Sequence, residues 1–353
     1  MDRRDALRTL LAALLPPVRI APQASVSTVI GDGMPGYSDR QVNNPYGLVI
    51  GPDRALYFCD LDNQRIRRLD LTTHRTTTIA GNGAKGYAGD GGPAVEASLN
   101  MPHEIRFDAR GNLYIAERDN HVIRRVNRRN QTISTLAGTG VAGFSGDGGA
   151  ATRALLRQPH SIAVDSSDRL LICDIGNHRI RRVNLSTGTI ETYAGTGDPQ
   201  QTPNGAAIRR VPLNGPRTMA FDDRGDLYLA LREGNAIYRI DRATQTIHHV
   251  AGTGTQGYSG DGGPARRATL AGPKGLAYAG GMLYVADTEN HVIRRIDVKS
   301  GIITTVLGTG RRGDGPESDP HRCALSRPHG VLAGARGILY VADSEAHRIR
   351  VLS

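Results

Sequence analysis

The sequence predicts an all-β chain that folds as a six-bladed β-propeller with four-stranded antiparallel blades, and three observations predict it. A segment similar to Leu-Tyr-Val-Ala-Asp occurs six times, and its last residues are 57, 57, 57, 56 and 56 positions apart. Each of the first five copies contains four short β-type runs between Gly, Asn and Asp turns. One further strand pattern precedes the first copy. Six regular copies of a four-stranded unit are typical of a propeller. The six segments end at Asp60, Glu117, Asp174, Leu231, Asp287 and Asp343.

The four runs of one copy are clearest in the third, at residues 160–165, 169–174, 179–183 and 189–194. Short turns of Gly, Asn, Asp and Ser join them, which is the pattern of an antiparallel meander. A single meander of this size cannot bury both of its faces. Six meanders packed radially around an axis solve this problem.

The two chain ends predict how the ring closes. The chain stops at residues 351–353, inside the third strand of the sixth copy. Residues 27–31 match the fourth-strand pattern of residues 134–138 and 304–308. The N-terminal strand therefore completes the last blade, which removes an unpaired sheet edge. We expect residues 26–353 to form a single propeller domain.

The first 25 residues differ from the rest and form a separate leader. Arg3 and Arg4 precede a short apolar run from Leu10 to Leu15, which resembles a twin-arginine export signal. The alternative is a short amphipathic helix or a disordered leader. The first alternative places the protein in the periplasm or outside the cell, and the second leaves it cytoplasmic. No run approaches the ~18–20 apolar residues that span a membrane.

The composition narrows the choice of partners. The net charge is +10, and all but three of the 44 basic residues are arginine, a bias that fits a GC-rich bacterial genome as well as it fits a function. The arginines come in pairs on the third strands, and neighbouring strand residues point to opposite faces. Such pairs cannot form one phosphate-binding stripe, so a nucleic-acid partner is disfavoured. The pairs begin at Arg67, Arg124, Arg181 and Arg294.

The repeat resembles a known family. An Asp-x-x-Gly-x-Leu-Tyr-Val-Ala-Asp pattern is followed by Asn-His-x-Ile-Arg-Arg, as at residues 290–295, and this is similar to NHL repeats. The resemblance covers residues 26–353 and implies a propeller. NHL propellers include RNA-binding, protein-binding and enzymatic members, so the fold alone does not settle the function.

Three long loops contain a Gly-Asp-Gly-Gly sequence, with Asp90, Asp147 and Asp261 at its centre. One carboxylate per loop is too few for a calcium site, which takes ~6–8 oxygen ligands. We interpret the glycines as loop geometry and each Asp as the cap of a short helical turn that follows. The long loops all lie on one face of the ring, which is therefore the candidate functional face.

The positions that start the innermost strands are the candidate ligand-binding residues. Innermost strands converge on the axis, so these six side chains should ring the channel mouth: Tyr46, His103, His160, Arg217, Lys274 and His329. Counting along the ladder places His103 opposite Glu117, and opposed residues share a face of the sheet. These pairs are either part of a site or local charge pairs that steady the blade. The same count pairs Tyr46 with Asp60, His160 with Asp174, Lys274 with Asp287, and His329 with Asp343.

The fourth copy breaks this pattern, because Arg217 faces Leu231 instead of an acid. A guanidinium without an acidic partner suits a carboxylate or phosphate. The fourth copy has also lost the Gly-Asp-Gly-Gly and Asn-His sequences. We therefore expect a monomeric binding scaffold, without a cofactor, for an anionic small molecule or an acidic peptide or protein. RNA binding is a further alternative.

A zinc enzyme is the other alternative. Three histidines leave an open position for catalytic zinc. The Pro-His pairs at His103, His160 and His329 resemble the zinc ligands of the peptidyl-α-hydroxyglycine α-amidating lyases, which are six-bladed NHL-type propellers. That resemblance implies a zinc-dependent lyase or hydrolase with these three residues as metal ligands. In that family the ligands come from alternate blades, whereas here they come from blades 2, 3 and 6.

Overall fold

A computed structural model describes residues 24–353, and the expected leader lies outside the described residues up to position 23. The described chain forms six separate sheets of four antiparallel strands each. Each sheet is one blade, and its first strand is the innermost. The six-bladed all-β prediction is confirmed.

Strand β1 (Val26–Ile30) comes first, and the next twelve strands build three consecutive blades. Blade 1 contains β2 (Pro45–Ile50), β3 (Leu56–Asp60), β4 (Arg65–Leu69) and β5 (Thr76–Ala80). Blade 2 contains β6 (Pro102–Phe107), β7 (Leu113–Glu117), β8 (Val122–Val126) and β9 (Ile133–Ala137). Blade 3 contains β10 (Pro159–Val164), β11 (Arg169–Asp174), β12 (Arg179–Asn184) and β13 (Ile190–Ala194).

The remaining strands build blades 4 to 6. Blade 4 contains β14 (Pro216–Phe221), β15 (Leu227–Leu231), β16 (Ala236–Ile240) and β17 (Ile247–Ala251). Blade 5 contains β18 (Pro273–Ala279), β19 (Met282–Asp287), β20 (Val292–Asp297) and β21 (Ile303–Leu307). Blade 6 contains β22 (Pro328–Ala333), β23 (Leu339–Asp343) and β24 (Arg348–Leu352), with β1 as its fourth strand. Short 3-10 helices lie at Ala94–Glu96, Ala151–Arg153, Ile175–Asn177, Ile208–Arg210, Ala265–Arg267, Thr288–Asn290, Ala335–Gly337 and Ser344–Ala346.

The N-terminal strand closes the ring, as the sequence predicts. β1 pairs antiparallel with β24, with Val26 opposite Leu352 and Ser27 opposite Val351. The backbone N–H of Ser25 donates to the carbonyl of Ser353 at 2.9 Å. The first and last described segments of the chain are therefore held in one sheet.

The core consists of apolar layers between neighbouring blades. In one layer, Ile66 and Leu99 from the blade 1 side pack with Ile105 and Ile115 of blade 2. Equivalent layers recur around the ring. All three cysteines are free and buried, which fits the expectation of small core residues. Within residues 24–353, no helix has the length and apolar character needed to cross a membrane.

Candidate functional site

Each innermost strand begins with a residue of positive φ, a proline and then the candidate site residue. In blade 2 these are Met101, with φ of 53°, followed by Pro102 and His103. The ladder pairs Pro102 with Glu117 and Glu104 with Ala116, so His103 occupies an irregular position between them. Such a bulge leaves one residue without a cross-strand partner and re-aims its side chain.

The bulge overturns the expected cross-strand pairs. In every blade the proline, not the candidate residue, lies opposite the last residue of the second strand. Arg217 therefore does not face Leu231, because Pro216 does. The predicted pairs assumed a regular ladder between the first and second strands. The extra residue of the bulge shifts the register of the first strand by one. The wrong pairs are His103 with Glu117, His160 with Asp174, His329 with Asp343, Tyr46 with Asp60, and Lys274 with Asp287.

The bulged side chains meet at the axis. The rings of Tyr46 and His103 lie edge to face with centroids 4.8 Å apart, and those of His103 and His160 do the same at 4.7 Å. His329 stacks on Tyr46 at 4.1 Å, and its Nε2 lies 3.2 Å from Nζ of Lys274. We call the six predicted residues, Arg217 among them, the axial ring.

The axial ring fills the axis and does not surround an open channel. Arg217 and His103 are each 3% exposed, and the other two histidines and Lys274 are also buried. Tyr46 is half-buried. The space beside the ring measures only about 10 Å³, which is close to the volume that one water molecule needs. A ligand at this position is therefore limited to a small group or to the tip of a larger molecule.

The three histidines of the ring are uncharged at neutral pH. Burial lowers the pKa of His103, His160 and His329 well below the usual value, and the nearby charge of Arg217 adds to the effect. Nδ1 of His160 lies 2.8 Å from the carbonyl of Gln158, and Nδ1 of His103 lies 3.0 Å from the carbonyl of Met101. These bonds place a proton on each Nδ1, because a carbonyl can only accept.

The described side chains do not fit a three-histidine zinc centre. Between residues 24 and 353, no three His, Cys, Asp or Glu side chains form a group that could hold a metal ion. Tyr46 separates His103 from His329 in the ring, and the Nε2 of His329 faces the ammonium of Lys274. Zinc binding by His103, His160 and His329 stays a hypothesis, which metal titration can test.

Arg217 is the unusual member of the ring, because its guanidinium is buried without a partner. Within the described chain it makes no side-chain hydrogen bond or ion pair, and its Nε is buried and unsatisfied. Burial lowers the pKa of Arg217 to about 10, so the group remains charged at neutral pH. The nearby carboxylate of Glu104 is bound to Arg106 at 2.6 Å. An unpaired buried charge is strongly destabilising.

Lys274 has its own acidic partner, although not the expected one. Its Nζ donates to Glu289 at 2.8 Å. Burial lowers the pKa of Lys274 to about 8, against the effect of Glu289. The same glutamate also accepts from Arg327 at 2.6 Å. The positive charge of Lys274 is therefore neutralised within the protein, whereas that of Arg217 is not.

The acids that end the second strands bind inside their own blade and to the loop before it. In blade 2, Glu117 accepts from Asn120 at 2.5 Å and from the buried Arg124 at 3.3 Å. Arg124 also pairs with Asp90 of the preceding long loop at 2.6 Å. We call this acid, Asn, Arg and loop Asp the loop clamp. It recurs in blades 3 and 5 as Asp174, Asn177, Arg181 and Asp147, and as Asp287, Asn290, Arg294 and Asp261.

The loop clamp corrects a second expectation. Asp90, Asp147 and Asp261 do not cap the short helical turns, whose first turns make no side-chain cap bond. The first arginine of each pair is bound to an acidic partner, at Arg67, Arg124, Arg181 and Arg294. A sequence signal was present, since the fourth copy lacks the loop Asp, the acid, the Asn and the Arg together.

One side chain after the second strand of each blade accepts a backbone N–H from the next blade, and we call this contact a latch. His121 adopts a φ of 56°, and its Nδ1 accepts the backbone N–H of Gln158 at 3.1 Å. His178, His291 and His347 make the same contact. Gln64 and Asn235 replace the histidine at the two remaining junctions. All six blade junctions are therefore latched by one side chain each.

Family models match most of the repeat region. The model described as the teneurin NHL domain matches residues 93–186 and 246–323. The NHL repeat model matches residues 325–352. Together these matches span blade 2, strands β10 to β12 of blade 3, strand β17 of blade 4, blade 5, and strands β22 to β24 of blade 6.

Curated relatives share the propeller as part of longer proteins. SUPPRESSOR OF QUENCHING 1, chloroplastic, of Arabidopsis thaliana is 29% identical over 303 residues, which cover 82% of this chain and 28% of that protein. NHL repeat-containing protein 2 of Homo sapiens is 26% identical over 331 residues, which cover 83% of this chain and 45% of that protein. The chain thus spans less than half the length of these two relatives.

Solved structures share the fold. An auxiliary nutrient binding protein from Bacteroides ovatus superposes with a TM-score of 0.68 at 14% identity, over 94% of this chain and 76% of that one. A gluconolactonase from Xanthomonas campestris superposes with a TM-score of 0.60 at 13% identity, over 93% and 89%. At such identities the likeness concerns the fold alone, which binding proteins and enzymes both use.

Proposed function

Because the chain belongs to the NHL-repeat six-bladed β-propellers, we propose that it is a binding scaffold that receives an anionic group at the axial ring. The anion is a carboxylate or phosphate of a small molecule, or the acidic side chain of a peptide or protein. It approaches from the long-loop face and binds Arg217. The auxiliary nutrient binding protein among its fold relatives is consistent with a scaffold role.

The observation that carries this proposal is the unpartnered guanidinium of Arg217. Every blade except blade 4 has a buried third-strand arginine with a carboxylate within bonding distance. Among the described residues, no carboxylate lies within that distance of Arg217. Its planar donors suit a carboxylate or phosphate, and a charged hydrogen bond of this kind contributes about 1.5–3 kcal/mol. An anion would supply the negative charge that the ring lacks.

Tyr46 lies in the blade opposite Arg217 and is half-buried. We therefore infer that the site opens to solvent at Tyr46. The three histidines of the axial ring are neutral and add no positive charge, so an anion is attracted to Arg217 and not to the histidines. RNA is a weaker candidate, because the first arginines of the pairs are already held in clamps.

Thermal denaturation with a panel of acidic metabolites and acidic peptides tests the proposal. The matched variants are Arg217→Met, which keeps the length and removes the charge, and Arg224→Met, at an exposed position of blade 4. We expect at least one anion to raise the Tm of the parent and of Arg224→Met, but not of Arg217→Met. Without ligand, Arg217→Met should be at least as stable as the parent, because an unpaired buried charge is gone.

If Arg217→Met unfolds, or responds to the best anion as the parent does, Arg217 is a structural residue and the proposal fails. Metal titration separates the zinc alternative. About one equivalent of zinc in the parent, lost in His160→Ala, would favour the lyase-like function instead of the scaffold.

A further inference from the structure

Blade 4 has replaced every member of the loop clamp with an uncharged residue. Counted from blade 2, the acid Glu117 becomes Leu231, the amide Asn120 becomes Gly234, and the arginine Arg124 becomes Tyr238. The loop Asp90 becomes Asn204 in the same way. Asn204 keeps one task of that Asp, because its Oδ1 accepts the backbone N–H of His249 at 2.8 Å. No unpaired charge is left behind by these four changes.

The loop before blade 4 lacks one backbone hydrogen bond that the corresponding loops of other blades make. In the loops before four other blades, a glycine donates its N–H to a leucine carbonyl, as Gly86 does to Leu99 at 3.0 Å and Gly143 to Leu156 at 3.1 Å. The corresponding bond, from Gln200 to Leu213, is absent from the described chain. The aromatic ring that covers the clamp arginine in blade 2, Tyr87, corresponds to Gln201.

A cavity of about 680 Å³ lies where the clamp would be, lined by residues 201–204, 214, 231, 233, 234, 236, 238, 249 and 252–254 of the loops and of blade 4. We call it the blade-4 cavity. Its size falls within the ~300–1,000 Å³ of small-molecule sites. Leu231, Ala236 and Tyr238 form a buried floor, and Gln201 and Asn204 are exposed at the rim.

The lining is rich in hydrogen-bonding groups that carry no charge. The side-chain amides of Gln201 and Asn214 have no protein partner among residues 24–353, and each amide offers both a donor and an acceptor. Tyr238 donates its hydroxyl to the carbonyl of Thr202 at 2.9 Å, which fixes its ring beside that of His249, 5.3 Å away.

The charge of the lining excludes anionic ligands. No Lys or Arg lines the cavity, and the carboxylate of Glu233 at the rim is bound by Arg232. A phosphate or carboxylate would find no cation here, in contrast to the axial ring. A purely apolar molecule does not suit the cavity either, because it would leave the amides of Gln201 and Asn214 desolvated and unpaired.

From these observations the geometry points to the blade-4 cavity as a binding site for a neutral polyhydroxylated molecule, a saccharide of one or two rings. Hydroxyls on the edges of the sugar would bind the amides of Gln201, Asn204 and Asn214. The apolar face of the sugar would pack on the floor that Leu231 and Tyr238 form. This site is separate from Arg217 and does not depend on the function proposed for the axial ring.

Isothermal titration calorimetry with glucose, galactose, mannose, maltose and sucrose, and with glucuronate as the acidic counterpart, tests the inference. The cavity variant is Gln201→Ala/Asn214→Ala, and its matched control is Gln256→Ala, an exposed glutamine of the next long loop. We expect one of the neutral sugars to bind the parent, the control and Arg217→Met equally, and the cavity variant at least tenfold more weakly. Melting curves check that all variants are folded.

The inference is overturned if none of the five neutral sugars binds the parent at millimolar concentration, or if the cavity variant binds as tightly as the control. Binding of glucuronate alone, lost in Arg217→Met and retained in the cavity variant, would also overturn it, and would support the axial anion site instead. The two proposals can therefore fail separately.

Discussion

At the scale of single residues, the buried charges of the loop clamps carry the largest energetic consequences. Arg124 is fully buried and lies between Glu117 and Asp90. Burial raises the pKa of Glu117 to about 7, and Arg124 opposes that rise. Removing one member of such a buried pair leaves an uncompensated charge, whereas replacing both members by neutral residues need not be costly. Blade 4 shows the second case, with Leu231 and Tyr238 in the two positions.

This contrast gives a prediction for blade 2. Arg124→Leu should lower the free energy of unfolding by about 3–5 kcal/mol, because Glu117 stays buried without its cation. The double variant Glu117→Leu/Arg124→Tyr, which copies blade 4, should cost less than Arg124→Leu alone. Urea denaturation measures both. If the double variant costs as much as Arg124→Leu or more, the two residues do not form a coupled pair.

Residue types predicted the axial ring but not its contacts. The Pro-x positions at the start of each innermost strand identify the six side chains, because a propeller directs these strands to the axis. Their opposing partners could not be counted correctly, because the bulge depends on the positive φ of the residue before the proline, such as Met101. Nothing in the residue type of Met101 signals that conformation.

At the scale of strands and loops, the His121 latch between blades 2 and 3 makes that junction sensitive to acid. Burial lowers the pKa of His121, and the neighbouring Asp119 opposes this while Arg157 and Arg118 add to it. Nδ1 of His121 must be unprotonated to accept the N–H of Gln158. The folded state therefore binds a proton on this histidine less readily than the unfolded state does.

His121→Gln tests the latch, because Gln64 makes the same contact at the first junction. Below about pH 6.5 the unfolded parent takes up more protons at His121 than the folded parent does, so the parent becomes less stable as the pH decreases. The glutamine variant lacks this contribution. We compare the free energy of unfolding of the parent with that of the variant at each pH. We expect the parent value, relative to the variant value, to decrease as the pH is lowered from 8 to 5. A difference that is constant with pH would contradict the latch.

The repeat predicted each element, whereas the loop contacts required the structure. Strand positions follow from alternating apolar runs and turn residues, which are local properties. The loop clamp joins Asp90 to Arg124, 34 positions apart. Such a partner can be inferred only from the fact that the fourth copy lacks the clamp members together.

At the scale of the whole molecule, the ring depends on β1. Val26 and Ile30 are buried, and β1 supplies the hydrogen bonds that the outer edge of β24 needs. Removing residues 1–32 should therefore cost about 3 kcal/mol or more from these two side chains alone and lower the Tm of the entire propeller. Removal of residues 1–24 is the control, since it leaves β1 in place. Equal Tm values for the two truncations would contradict closure by β1.

Bromide diffraction is the most direct test of whether an anion binds at Arg217. Crystals grown or soaked in bromide would be measured at the bromine absorption edge, so that anomalous peaks locate the anions. We expect a peak within contact distance of the Arg217 guanidinium at the axis, and no such peak in Arg217→Met. Bromide peaks elsewhere on the protein with none at Arg217 would contradict it.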